Sequence, residues 1–374
     1  ILQRPRRSQA APRSTRQAAM AGIKRAEGRR RIWTGALRAA LLLKASHSAY
    51  VCRPLPAPLR YSRRPAKMST TASRDGVTLQ LHQHGKGRVR LGRTWREGDT
   101  HYFVEWTVRV ALESAVERAF TEGDNTGMTP TDTCKNTCYF IAKECGERSS
   151  PEFYGIKLAS HFIDTYPLVS RCKVWVEEHP WRRVYMNNEG HEHGFAYSGT
   201  EAHTVFVSVD KQKKIDVTSG IRGWKVLKTT QSGYEGYLKD KYTMLRETND
   251  RIVATEVTAT WKYSAPVRDY SAAFRAVKDS LSEAFFGPCK GGVYSPSVQY
   301  TLFEMARMAI DRVPEVGSVY LSMPNLHFIP CSPPGCDDGV CQFQDDVYIA
   351  TSEPHGQIEA CITRNGAKGH MSRL

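Results

Sequence analysis

The chain lacks the short motifs that announce the commonest cofactor and metal chemistry. No G-x-G-x-x-G follows a strand-like run, no G-x-x-x-x-G-K-[ST] occurs and no H-E-x-x-H is present. Dinucleotide, P-loop and zinc-peptidase readings therefore have no foothold. The Gly-x-Gly beside a strand, Gly85-Lys86-Gly87, precedes that strand instead of following it. The ten cysteines contain no C-x-x-C pair, which removes the usual zinc-knuckle spacing. Long apolar runs are missing too. Ala36–Leu43 is broken by Arg38 and stopped by Lys44, far short of the roughly 20 residues a helix needs to cross a bilayer.

Acidic residues are nearly absent from one region. Residues 1–67 hold 17 Lys+Arg and a single acid, Glu27. Taken from totals of 53 and 38, this leaves 36 basic against 37 acidic residues in 68–374. The net charge of +15 thus resides in an N-terminal extension, and the remainder, at −1, has no electrostatic case for nucleic acid. The extension fits an organelle transit segment, a disordered tail, or sequence upstream of a start at Met68. The composition change at Met68-Ser69-Thr70-Thr71-Ala72 favours the last.

What is present reads as ordinary globular protein, 40% apolar and 24% charged, with length for about two domains. The expected layout is a basic extension over 1–67, a polar leader over 68–84, two repeats over 85–213 and 214–364, and a tail over 365–374. That tail ends in Ser372-Arg373-Leu374, a variant of the S-K-L address, so a peroxisomal location and an import receptor as partner are expected. Cys331, Cys336 and Cys341, spaced by five in a Pro/Gly/Asp loop, are expected as free thiols in an intracellular protein.

Periodicity supports two copies of one pattern. Val89–Arg93 and Tyr102–Leu112 alternate as strands, joined through Arg96-Glu97-Gly98-Asp99. A helix opens at Thr129-Pro130-Thr131-Asp132 and a second at Ser150-Pro151-Glu152, with Phe153, Ile156, Leu158, Phe162 and Ile163 at helical spacing. Strands follow over Arg171–His179 and Phe195–Val209, with a turn at His191-Glu192-His193. The pattern restarts with strands over Gly223–Thr230 and Ile252–Tyr263, a helix over Tyr270–Phe286 and another from Ser295-Pro296-Ser297 to Ile310. It ends with strands over Ser318–Ile329, Val347–Thr351 and Ile358–Thr363. The fold class is α+β, antiparallel strands with two helices on one face in each half.

Several residues carry chemistry. Each half has a hydroxyl-Pro turn at a helix start, Thr129-Pro130 and Ser295-Pro296, where first-turn N–H groups lack intrahelical acceptors. The stretch from Val226 to Tyr237 joins a strand to a Ser232-Gly233 break and two aromatics three apart, Tyr234 and Tyr237, and Arg251 follows a polar turn. One aromatic face and one guanidinium fork suit a flat molecule with carbonyl edges. Asn325 and His327 are two apart on a strand and share a face. The pairs His82-x-His84 and His191-x-His193 are read as solvated turn histidines, although either has the donors for a metal.

From Gly85 to Leu374 these features resemble urate oxidase, or uricase. Gly85-Lys86-Gly87, Thr131-Asp132, Tyr234 with Arg251, Val298-Gln299 and Pro324-Asn325-Leu326-His327-Phe328 stand in that family's order and spacing. The resemblance implies two tandem tunnelling-fold (T-fold) repeats that assemble, as a homotetramer, into a β-barrel tunnel, with sites shared between subunits. It implies oxidation of urate by O2 and water to 5-hydroxyisourate and hydrogen peroxide, with no cofactor and no metal. In that reading Lys86, Thr131 and His327 form the proton relay, Lys86 needing a lowered pKa. Arg251, Gln299 and the backbone N–H groups of Asp132 and Val298 bind the purine edges, Tyr234 stacks beneath it, and Asn325 holds the dioxygen or water site. Most family members have Phe where Tyr234 stands. The alternatives are a catalytically silent purine-binding or structural T-fold, and a pterin-handling T-fold enzyme whose histidine triad is not apparent.

Overall fold

The computed structural model describes residues 72–331 and 346–366, within the unit Ala66–Leu374. The basic extension, Cys336, Cys341 and Ser372-Arg373-Leu374 lie outside the described residues. A small ribbon comes first, β1 (Ala72–Arg74) and β2 (Val77–Leu79), turning through Asp75-Gly76 with both residues at positive φ. It lies where the sequence suggested only a polar leader.

The first repeat consists of β3 (His84–Glu97), β4 (Thr100–Ser114), a short α1 (Glu117–Thr121), α2 (Thr131–Glu144), α3 (Pro151–Thr165), β5 (Val169–Glu178), a hairpin of β6 (Trp181–Met186) and β7 (Glu189–Tyr197), and β8 (Ala202–Asp210). The second consists of β9 (Ile215–Lys228), β10 (Val253–Tyr263), α4 (Tyr270–Phe286), α5 (Val298–Arg312), β11 (Val316–Ser322), a hairpin of β12 (Asn325–Pro330) and β13 (Tyr348–Gly356), and β14 (Glu359–Thr363). Even the inserted hairpins correspond.

One antiparallel sheet carries both repeats, in the order β3-β4-β5-β8-β9-β10. Beyond β10 it divides: β11 and β14 continue from one end of β10, β12 and β13 from the other. Alternation along β8 and β10 buries one face beneath the helices. α2 packs on β3, α3 on β5 and β8, and α5 on β11 and β14. Each repeat has its own core: Trp106, Tyr154, Leu158 and Phe162 anchor the first, and Trp261, Leu281, Phe285 and Met305 the second. Among the described residues the sheet is open, with the outer side of β3 unpaired at one edge and those of β13 and β14 at the other.

Local chemistry explains the boundaries. α4 starts where Asp269 accepts a hydrogen bond from the Ala272 N–H (2.9 Å) and stops at Gly287, φ 70°. Ser150 caps α3 through the Phe153 N–H, with Pro151 at the first position. The hydroxyl-Pro expectation is corrected at the other two starts. Pro130 itself is the cap of α2, with no side-chain bond and Thr129 buried behind it. Ser297, not Ser295, caps α5, and Pro296 precedes the helix. The expected His191-Glu192-His193 turn lies inside β7, the true turn being Asn187-Asn188, both at positive φ. Phe195–Val209 is two strands parted at Ser198–Glu201, and Ser318–Ile329 is two strands parted at Met323-Pro324.

Candidate active site

The residues singled out above gather into two clusters at opposite ends of the sheet. The first lies on the free edge at β3. Lys86 is aimed by a β-bulge: its Cα partner is Val110, yet Val89 pairs with Val108, so the extra residue falls at Gly87-Arg88, with Arg88 at φ 54°. Gly85 is obligatory here, because a Cβ would fall 2.0 Å from the Val110 carbonyl oxygen, whereas one at Gly87 would meet nothing within 4 Å.

Opposite the bulge stands the start of α2. His84, two residues before Lys86, bonds the Thr129 carbonyl through Nε2 (3.1 Å) and pins the helix start to β3. Burial lowers the His84 pKa, the bond to Thr129 opposing it. His82 is 8% exposed, 3.6 Å from Glu117 and 4.8 Å from the Phe120 ring. The expectation that these two are solvated turn histidines is therefore corrected. Thr131 occupies the first helical position and is exposed. The Asp132 carboxylate turns along the helix to Lys135 Nζ (2.6 Å) and Asn136 Nδ2 (2.9 Å), leaving its own N–H free. The Lys135 contact holds that carboxyl below its ordinary range, Asn136 and the charge of Lys86 adding to it.

The second cluster is knotted together by backbone bonds. Arg251 donates its N–H to the Ser232 carbonyl (2.9 Å), and Tyr234 exchanges backbone bonds with Thr248. Ser232 pairs with Ser295 in a parallel bridge: the Gly233 N–H donates to Ser295 O and the Ser295 N–H to Gln231 O, each at 2.9 Å. Gly233 suits the position, since a Cβ would fall 2.9 Å from the Thr248 carbonyl oxygen and would also displace the Tyr294 hydroxyl. Ser295 leads directly into the α5 start, where Ser297 caps the Tyr300 N–H and the N–H groups of Val298 and Gln299 have no acceptor among the described residues. Tyr234, Arg251, Val298 and Gln299 thus share one hydrogen-bonded frame.

Within that frame the Arg251 guanidinium carbon lies 5.4 Å from the centre of the Tyr234 ring, and its Nε is buried without a partner among the described residues. Burial lowers the Arg251 pKa, opposed by the Tyr234 and Tyr294 phenols; it remains a cation. The Tyr234 ring stacks on Tyr237 at 4.9 Å and 14°, so the aromatic pair of the sequence stretch is real, and its other partner, Tyr237, is fixed through its hydroxyl to Leu245 O (2.7 Å). Asn325 sits opposite Thr255 on β10 and Gly356 on β13; His327, opposite Thr351, lies beyond a bulge in β13.

The geometry decides what one chain can hold. Lys86 on β3 and Arg251 at the head of β10 are five strand spacings apart, roughly 24 Å. Along the sheet, five strand spacings exceed the width of a purine.

Comparison with known proteins shows the family. The sequence model described as Uricase matches residues 82–208 and 217–359, taking in both clusters. The chain belongs to the uricase family. Uricase-2 isozyme 1 of Glycine max is 45% identical over 296 residues, 76% of this chain and 95% of the relative. Uricase of Arabidopsis thaliana is 44% identical over 305 residues, 79% of this chain and 98% of the relative. The crystal structure of uricase from Arthrobacter globiformis is similar in fold, with a TM-score of 0.71 and 32% identity over 79% of this chain and 98% of that one. The two-repeat α+β architecture is thus that of the uricase family.

Sequence reasoning read His84 as a solvated turn histidine, Ser232 as a strand break and Ser295 as a helix start, and it missed their bonds and Lys228 altogether. Each acts through a backbone carbonyl or hydroxyl of a distant segment, and no local spacing advertises such a bond.

Proposed function

We propose that the chain is a urate oxidase whose site is completed by a second copy. Urate, O2 and water give 5-hydroxyisourate and hydrogen peroxide; the two electrons leave the purine and reduce dioxygen, and water supplies the hydroxyl at C5. The observation that carries this reading is the Arg251–Tyr234 pair held in register with the α5 start. A rigid donor fork, an aromatic face and free helix N–H groups form one frame suited to a flat purine trione.

Arg251 takes one lactam edge of urate, and the Gln299 amide, donor and acceptor at once, takes the next. Tyr234 supplies stacking area. The Val298 N–H and, from the neighbouring copy, the Asp132 N–H reach the remaining ring nitrogen and oxygen. Lys86 accepts the urate proton through Thr131, whose hydroxyl is too weak an acid and base to act alone. His327 belongs to the same relay, and Asn325 holds dioxygen, then water, above the ring. The electrons come from deprotonated urate itself, so the reading requires no cofactor.

The open sheet supports the assembly. Joining the β3 edge of one copy to the β13 and β14 edge of another removes both unpaired edges and brings α2 of one copy to α5 of the next. A homotetramer of such pairs, and a peroxisomal location read from Ser372-Arg373-Leu374, complete the proposal.

The test follows urate absorbance and peroxide together, in air, without added metal or flavin. Equimolar urate loss and peroxide, abolished by Lys86→Ala, is the expected result. Tight urate binding with no peroxide would overturn oxidation in favour of a silent purine-binding T-fold.

A further inference from the structure

Lys228 closes β9 and turns its ammonium into the segment before α5. Nζ donates to Val293 O at 2.7 Å and to Ser295 Oγ at 2.9 Å, and it lies 5.5 Å from the centre of the Phe285 ring. Ser295, itself 2% exposed, is a hub. Its hydroxyl also meets Thr301 Oγ1 (2.8 Å), its N–H reaches Gln231 O and its carbonyl takes the Gly233 N–H. One side of this hub leads to Tyr234 and Arg251. The other leads through the Ser297 cap to Val298 and Gln299.

Fold stability alone does not call for a lysine at this place. Its ammonium is partly desolvated, which lowers its pKa, and a Met of similar length would pack against Phe285 without that penalty. What Met lacks is the donor set. Without it, the Val293 carbonyl and the Ser295 hydroxyl lose their shared tie, and the stretch from Val293 to Ser297 is free to shift relative to β9. A shift of an ångström there moves Gln299 and Arg251 relative to each other, which suffices to spoil a ligand held by both.

We infer that Lys228 is a positioning residue for purine binding, holding the α5 start in register with the Tyr234–Arg251 loop. The inference rests on the purine-binding reading above and adds a residue to it that touches no substrate.

The experiment uses the full chain carrying Lys228→Met, Lys228→Arg or Ser295→Ala. KM and kcat for urate are measured beside the Kd for xanthine, which presents the same dione edge but lacks the 8-oxygen, and beside Tm. Lys228→Met is expected to raise KM and the xanthine Kd together by about tenfold, with kcat and Tm changed much less. Lys228→Arg restores part of the loss, because its guanidinium still donates to at least one of the two acceptors. A Lys228→Met protein whose folded fraction keeps wild-type KM and Kd overturns the assignment and leaves a structural lysine. Should Lys228→Met not fold, Ser295→Ala decides: a several-fold rise in KM supports the positioning role, and an unchanged KM overturns it. Wild-type protein that binds neither purine sinks the functional reading itself, a different outcome from wild-type binding that is indifferent to Lys228.

Discussion

Glu152 and Ser219 meet across the seam between the repeats, with 2.7 Å between Oε1 and Oγ. Glu152 starts α3 of the first repeat, Ser219 lies on β9 of the second, and the carboxylate is fully buried. The same oxygen bonds His203 Nε2 at 2.8 Å, while the Tyr263 hydroxyl donates to Ser219 (3.0 Å) and the Trp261 indole to Tyr263 (2.9 Å). Burial alone pushes the Glu152 carboxyl up, but the charge and hydrogen bond of His203, with Ser219, outweigh it and the net shift is downward. The two halves are therefore joined by a polar network as well as by the sheet.

That network sets a stability prediction. His203→Ala leaves a buried carboxylate without its imidazole hydrogen-bond partner and is expected to cost about 3 kcal/mol at pH 7. Because the folded pKa of Glu152 lies below its unfolded value of about 4.3, the contribution is complete above that pH. It is lost as pH falls through the folded pKa. Denaturant melts of wild type and variant should converge at the acid end, and a gap that stays constant down to pH 3 would contradict the account.

The bulge at Lys86 makes a paired prediction. Gly85→Ala places a methyl group against the Val110 carbonyl and is expected to cost about 2–3 kcal/mol, with urate turnover lost in whatever remains folded. Gly87→Ala meets nothing and should stay within about 0.5 kcal/mol of wild type. Equal effects at the two positions, read by Tm and turnover, would remove the bulge from the mechanism.

Arg251→Lys keeps the charge and loses the fork. The ammonium cannot span a lactam edge, so kcat/KM for urate should fall about a hundredfold while Tm changes little. A variant within threefold of wild type would mean that charge alone suffices. By contrast Tyr234→Phe keeps the stacking face and removes a hydroxyl that has no hydrogen bond among the described residues, so KM should move by less than about threefold. A larger change would give that hydroxyl a role in substrate affinity.

Legibility in the sequence followed the range of the forces involved. α4 was readable from Tyr270 to Phe286 because its cap, its apolar stripe and its terminating Gly287 are all local. The β3–β4 hairpin was readable from Gly98-Asp99 and the alternation around it. The β6–β7 hairpin was not, since His191, Glu192 and His193 are polar on both faces and resemble a turn. Glu152 was legible only as part of the helix start Ser150-Pro151-Glu152; its burial against His203 and Ser219, 51 and 67 residues away, has no local signal. The order of the site motifs was legible from Gly85 to Phe328, and the resemblance implied a site shared between subunits; the residues alone did not show the division into two clusters, which follows from strand order.

The claim that the site is shared between copies has one direct test. Lys86→Ala and Arg251→Ala proteins, each without activity, are dissociated, mixed and reassembled, and urate consumption is measured. A mixed pair carries one site with both an intact Lys86 and an intact Arg251, and one site lacking both. The account therefore predicts recovery of up to half the wild-type activity in such pairs. No recovery, with mixed assembly verified by native mass spectrometry, would contradict it and require both clusters to serve the same chain.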